Sequence, residues 1–405
     1  MTELAKNASA PSPKAALIIL LGVLTAFAPL STDMYLAAFP AMAKDLGTDE
    51  ASVQLSLAVF FLGLALGQLI WGPLSDRLGR RRPLMAGLIV YALASAGLAL
   101  SGSVSTFLIL RFIQALGGCA GMVVSRAVVR DLFDLESSAV VLTLMMAVQS
   151  LGPVVAPVLG AYVLTLAPWP AVFWLLLILG LGCLASSWKF LNESHPPERR
   201  VRQSLGEISR TLLSLLRLRP FIVPTLAGAL GGSAIIAFVT ASPFVLMSVF
   251  GLSRTSFAWV FAMISLGSGL FAQTNIIVLK KLSARKILSL AIAALITLSL
   301  ILLIISWPEY PPPLWVFLVL LFPTLAMCPI IFANSTALAM ASSGRYAGSA
   351  SSIIGTIQFG LAGLISVMVS VFHDGTARPM VGAILAFGLA GAALLLADKL
   401  IPHKL

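Results

Sequence analysis

Gly72-Pro-Leu-Ser-Asp76-Arg-Leu-Gly79-Arg-Arg-Arg-Pro83 is the stretch whose reading decides the fold. It puts four arginines (Arg77, Arg80, Arg81 and Arg82) into twelve residues of a chain in which only 10% of residues are charged. On either side lie apolar segments, 52–74 and 83–101. Each is long enough to cross a bilayer as a helix, which takes about 20 residues. A short basic loop between two such segments marks the cytoplasmic side of a membrane protein. Working outward, ten more apolar segments follow the same plan: 15–39, 104–125, 138–166, 171–190, 220–248, 256–279, 287–307, 313–340, 346–372 and 379–400. They lack the alternation of barrel strands, so the prediction is an all-α integral membrane protein with twelve transmembrane helices. Pro323 and Pro329 are expected to break the tenth.

Composition agrees. Of 405 residues, 59% are hydrophobic, and the mean hydropathy is +1.02. A soluble domain carries roughly 25% charged residues, so a soluble enzyme, a disordered chain and a fibrous one are excluded. The net charge of +11 fits basic loops on one side of a membrane rather than a nucleic-acid partner. With the N-terminus placed inside, the cytoplasmic loops receive Arg77, Arg80, Arg81, Arg82, Arg130, a block from Lys189 to Arg219, then Lys280, Lys281, Arg285, Lys286 and Arg345. The opposite loops hold Lys44, Arg254 and Arg378. Both termini are therefore expected inside. Residues 1–14 read as a polar cytoplasmic tail without a cleavable signal. The polar stretch 191–219 reads as a surface linker between a six-helix bundle over 15–190 and another over 220–405. A basic loop at Asn275–Ile287 repeats the position of Gly72–Pro83 in the second half, as in carriers built from paired halves. Cys119, Cys183 and Cys328 sit in apolar runs with no metal or disulfide spacing.

Three further stretches carry chemistry. Ser31-Thr-Asp33-Met34-Tyr35-Leu36 places an acid inside the first span, and Arg111-Phe-Ile-Gln114 places a guanidinium at similar depth in the fourth. A charge there costs roughly 2.5–3.5 kcal/mol on insertion scales, so the two are expected as neighbours. The alternatives are that Arg111 snorkels to the surface and that Asp33 caps a loop. In the fifth span Gly152, Ala156 and Gly160 share one face, with Pro153 and Pro157 beside them. Small residues so spaced admit a close helix. Gly63 with Gly67, and Gly348, Ser352, Thr356 and Gly360, form similar stripes that we assign to packing.

The Gly72–Pro83 loop resembles the signature loop of the major facilitator superfamily. The Arg111–Gly118 stretch resembles the RxxQG-type motif of its drug–proton antiporters, with Ala115 in place of the usual glycine. The Gly152–Gly160 segment resembles the motif of its exporters. With Leu30–Pro40, Ser125–Phe133 and Ser349–Gly360, the whole chain resembles the Bcr/CflA drug-resistance branch. The resemblance implies the two-bundle, pseudo-symmetric major facilitator fold in a bacterial inner membrane. It implies export of small antibiotics such as bicyclomycin or chloramphenicol, or of metabolites or peptides, in exchange for protons. It also implies a cytoplasmic gate at Gly72, Asp76, Arg77, Gly79, Arg80 and Arg81, with Arg130 and Arg345 as partners of Asp76. The family's cavity helices make Gln114 and Asn334 candidate substrate contacts. Met34, Tyr35, Phe238 and Gln358 are weaker ones, for which core packing is the competing reading.

No GxxxxGK[ST] loop is present, and His195, His373 and His403 fall in loops. The proton gradient is then the expected energy source, with no cofactor, and Asp33 and Arg111 are the expected coupling pair. The expected partners are a small-molecule drug or metabolite, protons and the lipid bilayer, with no nucleic acid, and the expected state is a monomer. Uptake by symport is the alternative within transport. A membrane enzyme would need a catalytic constellation that the sequence lacks.

Overall fold

The computed structural model describes residues 13–199, 205–307 and 311–400. These residues form helices joined by short turns, with no strand among them. Eleven helices are long and apolar enough to cross a membrane, and a bent pair in the first segment makes a twelfth span. The spans after the first are Glu50–Leu78, Arg81–Ala99, Val104–Leu132, Leu135–Leu166 and Pro170–Phe190 in the first half. In the second half they begin with the interrupted seventh, Arg219–Gly232, Ala234–Pro243 and Phe244–Val249. The eighth is Arg254–Ala272 with Thr274–Leu279, and Ala284–Ile305, Leu314–Ala341, Ala347–Val371 and Arg378–Leu400 complete the set. An amphipathic helix, Leu205–Arg217, lies in the linker.

Local chemistry sets where spans start. Asp49 accepts a hydrogen bond from the backbone N–H of Ser52 at 2.7 Å, and Asp134 accepts one from Ser137 at 2.8 Å. Both are N-caps that satisfy an otherwise orphaned helix donor. Ser103, Ser253 and Ser283 do the same for the fourth, eighth and ninth spans. Hydrogen bonds from Ser52 hold the Asp49 carboxyl below its usual range.

The first span is the irregular one. It runs as Pro13–Thr25, Phe27–Asp33, a 3₁₀ turn Leu36–Ala38, and Phe39–Asp45. Its two parts are bent by 46°. Pro29 and Pro40 have no N–H to offer the carbonyls of Thr25 and Leu36, so the ladder opens beside both. The tenth span departs from expectation. Leu314–Ala341 stays one helix through Pro323 and Pro329. Prolines are tolerated there because packed neighbours hold the flanking turns. The seventh span's Gly231 and Gly232 lie against Ile331 and Phe332 on this helix.

Spans two and eleven form a long seam between the halves. Gly72 faces Ser352 and Gly355 faces Gln68. Phe61 stacks on Phe359 at 6.5 Å, and Gly363 meets Leu62. Ser352 and Thr356 of the small-residue stripe on span eleven thus lie against span two. Spans five and eight pack together as a second inter-half contact.

Candidate functional site

Asp33 ends the helix Phe27–Asp33 and is 3% exposed. Thr32 Oγ1 donates to its Oδ1 at 2.8 Å. The chain then leaves the helix at Met34 and Tyr35. Span five is pressed onto this break. A Cβ on Gly160 would collide with the carbonyl oxygen of Met34, and one on Gly152 would meet Pro29 at 2.6 Å. Ala156 between them is fully buried. The small face of span five therefore abuts the irregular backbone next to Asp33. Pro153 and Pro157 lie in the same helix, which remains continuous.

Arg111 is wholly buried, at 0% exposure, so it does not snorkel. Its guanidinium donates to Gln114 Oε1 at 2.6 Å, and Gln114 Nε2 donates to Ser95 Oγ at 2.8 Å. It lies over the rings of Tyr35 at 4.4 Å, Phe60 at 4.2 Å and Phe173 at 6.0 Å. Desolvated cation–π contacts of this kind contribute about 2 kcal/mol each. Tyr35 is fixed in turn by a bond between its hydroxyl and Ser56 Oγ at 2.7 Å, and Tyr91 bonds Ser31 at 2.8 Å. Four spans thus share one buried polar cluster.

The cluster does not pair Asp33 with Arg111. No ion pair within 4.0 Å joins them, and the Arg111 Nε and the second terminal nitrogen have no hydrogen-bond partner. The break in span one explains the difference. It turns Tyr35, two residues on, to the guanidinium, and Asp33 is held by Thr32 instead. Depth alone could not reveal this. The loop-cap alternative for Asp33 also falls, because the carboxyl closes a helix in the buried core.

The candidate substrate residues do not converge on one pocket. Met34, Tyr35 and Gln114 are fully buried in the first-half cluster. Phe238 stacks on Phe261 at 5.1 Å. Asn334 donates to Asn275 Oδ1 and to the Ile330 carbonyl, each at 2.9 Å. Gln358 is half-buried on span eleven.

At the basic end, the gate loop corrects a second expectation. Asp76 pairs with Arg80, one helical turn away, and not with Arg130. Gly79, with φ of +90°, makes the left-handed turn that returns Arg80 to Asp76. Arg80 also donates to Asp131 at 2.8 Å and to Ser75 at 3.0 Å. Glu193 accepts from the backbone N–H of Arg80 at 2.7 Å and of Arg81 at 3.3 Å. Arg81 donates to the Trp188 carbonyl at 2.8 Å. Burial works against the Arg80 charge, but its bonds to Asp131 and Asp76 outweigh that and hold its pKa above the ordinary arginine value. Arg77 is exposed on the last turn of span two. Arg130 is exposed and its guanidinium lies beside Gly348 of span eleven. The Arg345 side chain lies outside the described residues. Sequence reading missed Asp131, Glu193 and a second cluster, in which Asp398 accepts from Arg219 at 2.9 Å and from Arg285. Their signal was an acid at the end of a span, facing basic loops.

Twelve spans, irregular helices around a buried acid, and charge clusters at one end define a polytopic membrane transporter. Known proteins narrow this. The family model described as Major Facilitator Superfamily matches residues 21–367. An uncharacterized MFS-type transporter of Bacillus subtilis, YdgK, is 35% identical over 91% of this chain and 92% of its own. The bicyclomycin resistance protein homolog of Haemophilus influenzae is 31% identical, covering 90% and 91% of the two chains. The chloramphenicol resistance protein of Pseudomonas aeruginosa is 32% identical, covering 93% and 89%. A solved D-xylose–proton symporter superposes with a TM-score of 0.75 at 15% identity, over 96% of this chain and 98% of that one. The chain belongs to the Major Facilitator Superfamily, and it is a transporter rather than an enzyme.

Proposed function

We propose that this transporter exports small antibiotics in exchange for protons, with its basic end and both termini in the cytoplasm of a bacterial cell. The observation that carries the reading is the buried Asp33 carboxyl, set at a break in the first span and pressed by the exporter-like face of the fifth. A carboxyl withdrawn from water is favoured as the neutral acid, and one beside a guanidinium as the anion. Arg111 keeps two unpaired nitrogens within the same cluster. A shift at the break that brings Asp33 to them would favour loss of its proton, and the arrangement seen here would favour its gain. Asp33 takes its proton from outside, releases it inside, and binds in alternation with cargo. The names of the bicyclomycin and chloramphenicol relatives support the cargo class.

One carboxyl implies one proton per cycle, and the cargo's charge then sets what that proton achieves. A unit charge crossing about 100 mV yields about 2.3 kcal/mol, enough for an approximately 50-fold gradient of a neutral drug. A monocation exchanged for a proton moves no net charge. A monoanion adds a second favourable charge, for roughly a 2,000-fold gradient.

Everted vesicles energised to an acid interior test the reading. Chloramphenicol should discharge the pH gradient in vesicles that contain the protein and not in those that lack it. An unchanged gradient with chloramphenicol and bicyclomycin alike contradicts the proposal.

A further inference from the structure

Arg126 is a second charged group inside span four, and neither coupling nor gating has used it. It lies fifteen residues beyond Arg111, about 22 Å nearer the basic end. It is half-buried and makes no ion pair or hydrogen bond among the described residues. Its place on the helix is fixed by its neighbours. Cys119, two turns earlier on the same face, packs on span two at Gly67. Arg130, one turn later on that face, lies beside Gly348 of span eleven. Arg126 therefore sits along the seam where span two meets the small-residue stripe of the opposite half.

Its helix geometry aims it away from the lipid headgroups. Side chains on a helix lean toward its N-terminus, and span four begins at the far end. Arg126 thus leans away from the basic surface, and it lies within electrostatic reach of the Cys119 thiol. An unpaired guanidinium held in a membrane protein interior is costly and marks a binding path. Of the acids at this end, Asp76 and Asp131 are engaged by Arg80, Glu193 by the backbone N–H groups of Arg80 and Arg81, and Asp134 by that of Ser137.

We infer that Arg126 is a cargo-recognition residue, and that it receives the carboxylate of an organic monoanion entering from the cytoplasm when the seam between spans two and eleven opens. The inference rests on the proton-exchange reading and narrows its cargo. Arg130 stands at the mouth of the seam, Arg126 within it, and the unpaired nitrogens of Arg111 beyond. Guanidinium matches carboxylate in charge and in its two-pronged geometry. The same cargo charge gives single-proton exchange its steepest gradient.

Everted vesicles energised by ATP can be given radiolabelled benzylpenicillin, nalidixate or fusidate as monocarboxylate probes, and chloramphenicol as the neutral one. Vesicles lacking the protein provide the background. At least one carboxylate should accumulate more than tenfold above background. In R126Q the ratio of carboxylate to chloramphenicol accumulation should fall at least tenfold, and R126K should restore most of it. Accumulation of chloramphenicol with none of the carboxylates overturns this inference alone. An unaltered ratio in R126Q overturns it as well. Accumulation of no probe overturns the exchange reading and this inference together.

Discussion

The two halves fasten their basic ends with opposite signs. In the first half one cation is shared among acids: Arg80 is gripped by Asp76 and Asp131, and Glu193 takes the backbone N–H groups beside it. In the second half one acid is shared between cations, with Asp398 held by Arg219 and Arg285. The shared group is buried in both, with 5% side-chain exposure for Arg80 and 8% for Asp398. What differs is what each joint touches. The first sits on the loop leaving span two, which forms the seam with span eleven. The second ties spans seven, nine and twelve. We propose that the first joint works as a latch at the seam and the second as a staple within its half.

The largest expected effect belongs to R80A. It strips a buried cation from Asp131, whose side chain is 16% exposed, and from the solvent-screened Asp76; breaking the buried pair costs at most about 3–5 kcal/mol. Thermal unfolding in detergent should show the deepest fall in midpoint, and transport should drop at least tenfold. E193Q comes next. Losing one charge-assisted acceptor for two backbone N–H groups should cost about 1–2 kcal/mol, with a matching partial loss of transport. D398N should be mildest. Arg219 and Arg285 have 34% and 48% side-chain exposure, and solvent screening keeps such pairs to about 1 kcal/mol or less. Its turnover should stay within twofold. A D398N protein as inactive as R80A would erase the distinction between latch and staple.

The fold was legible because membrane crossing imposes a length and a polarity that apolar runs display directly. The small face of span five was legible too, since Gly152, Ala156 and Gly160 recur at helical spacing and do press on the first span. Pairing across distant positions was not. Asp76 was assigned to Arg130 and Arg345, yet among the described residues Gly79 folds the loop so that Arg80 meets it. Equal depth suggested an Asp33–Arg111 pair, but depth says nothing about the azimuth set by a broken helix. Tyr35 occupies the place given to the carboxylate. Asp131, Glu193 and Asp398 have partners far away in sequence, and one chain alone does not say which helices are neighbours.

Proton release from purified protein tests the role of Asp33 most directly. Saturating chloramphenicol is added to the detergent-solubilised transporter in weakly buffered solution, and the pH is followed. The intact protein should release close to one proton per molecule, and D33N, eluting as the same monodisperse species, should release none. Equal release from D33N and the intact protein would contradict the assignment of Asp33 as the proton carrier.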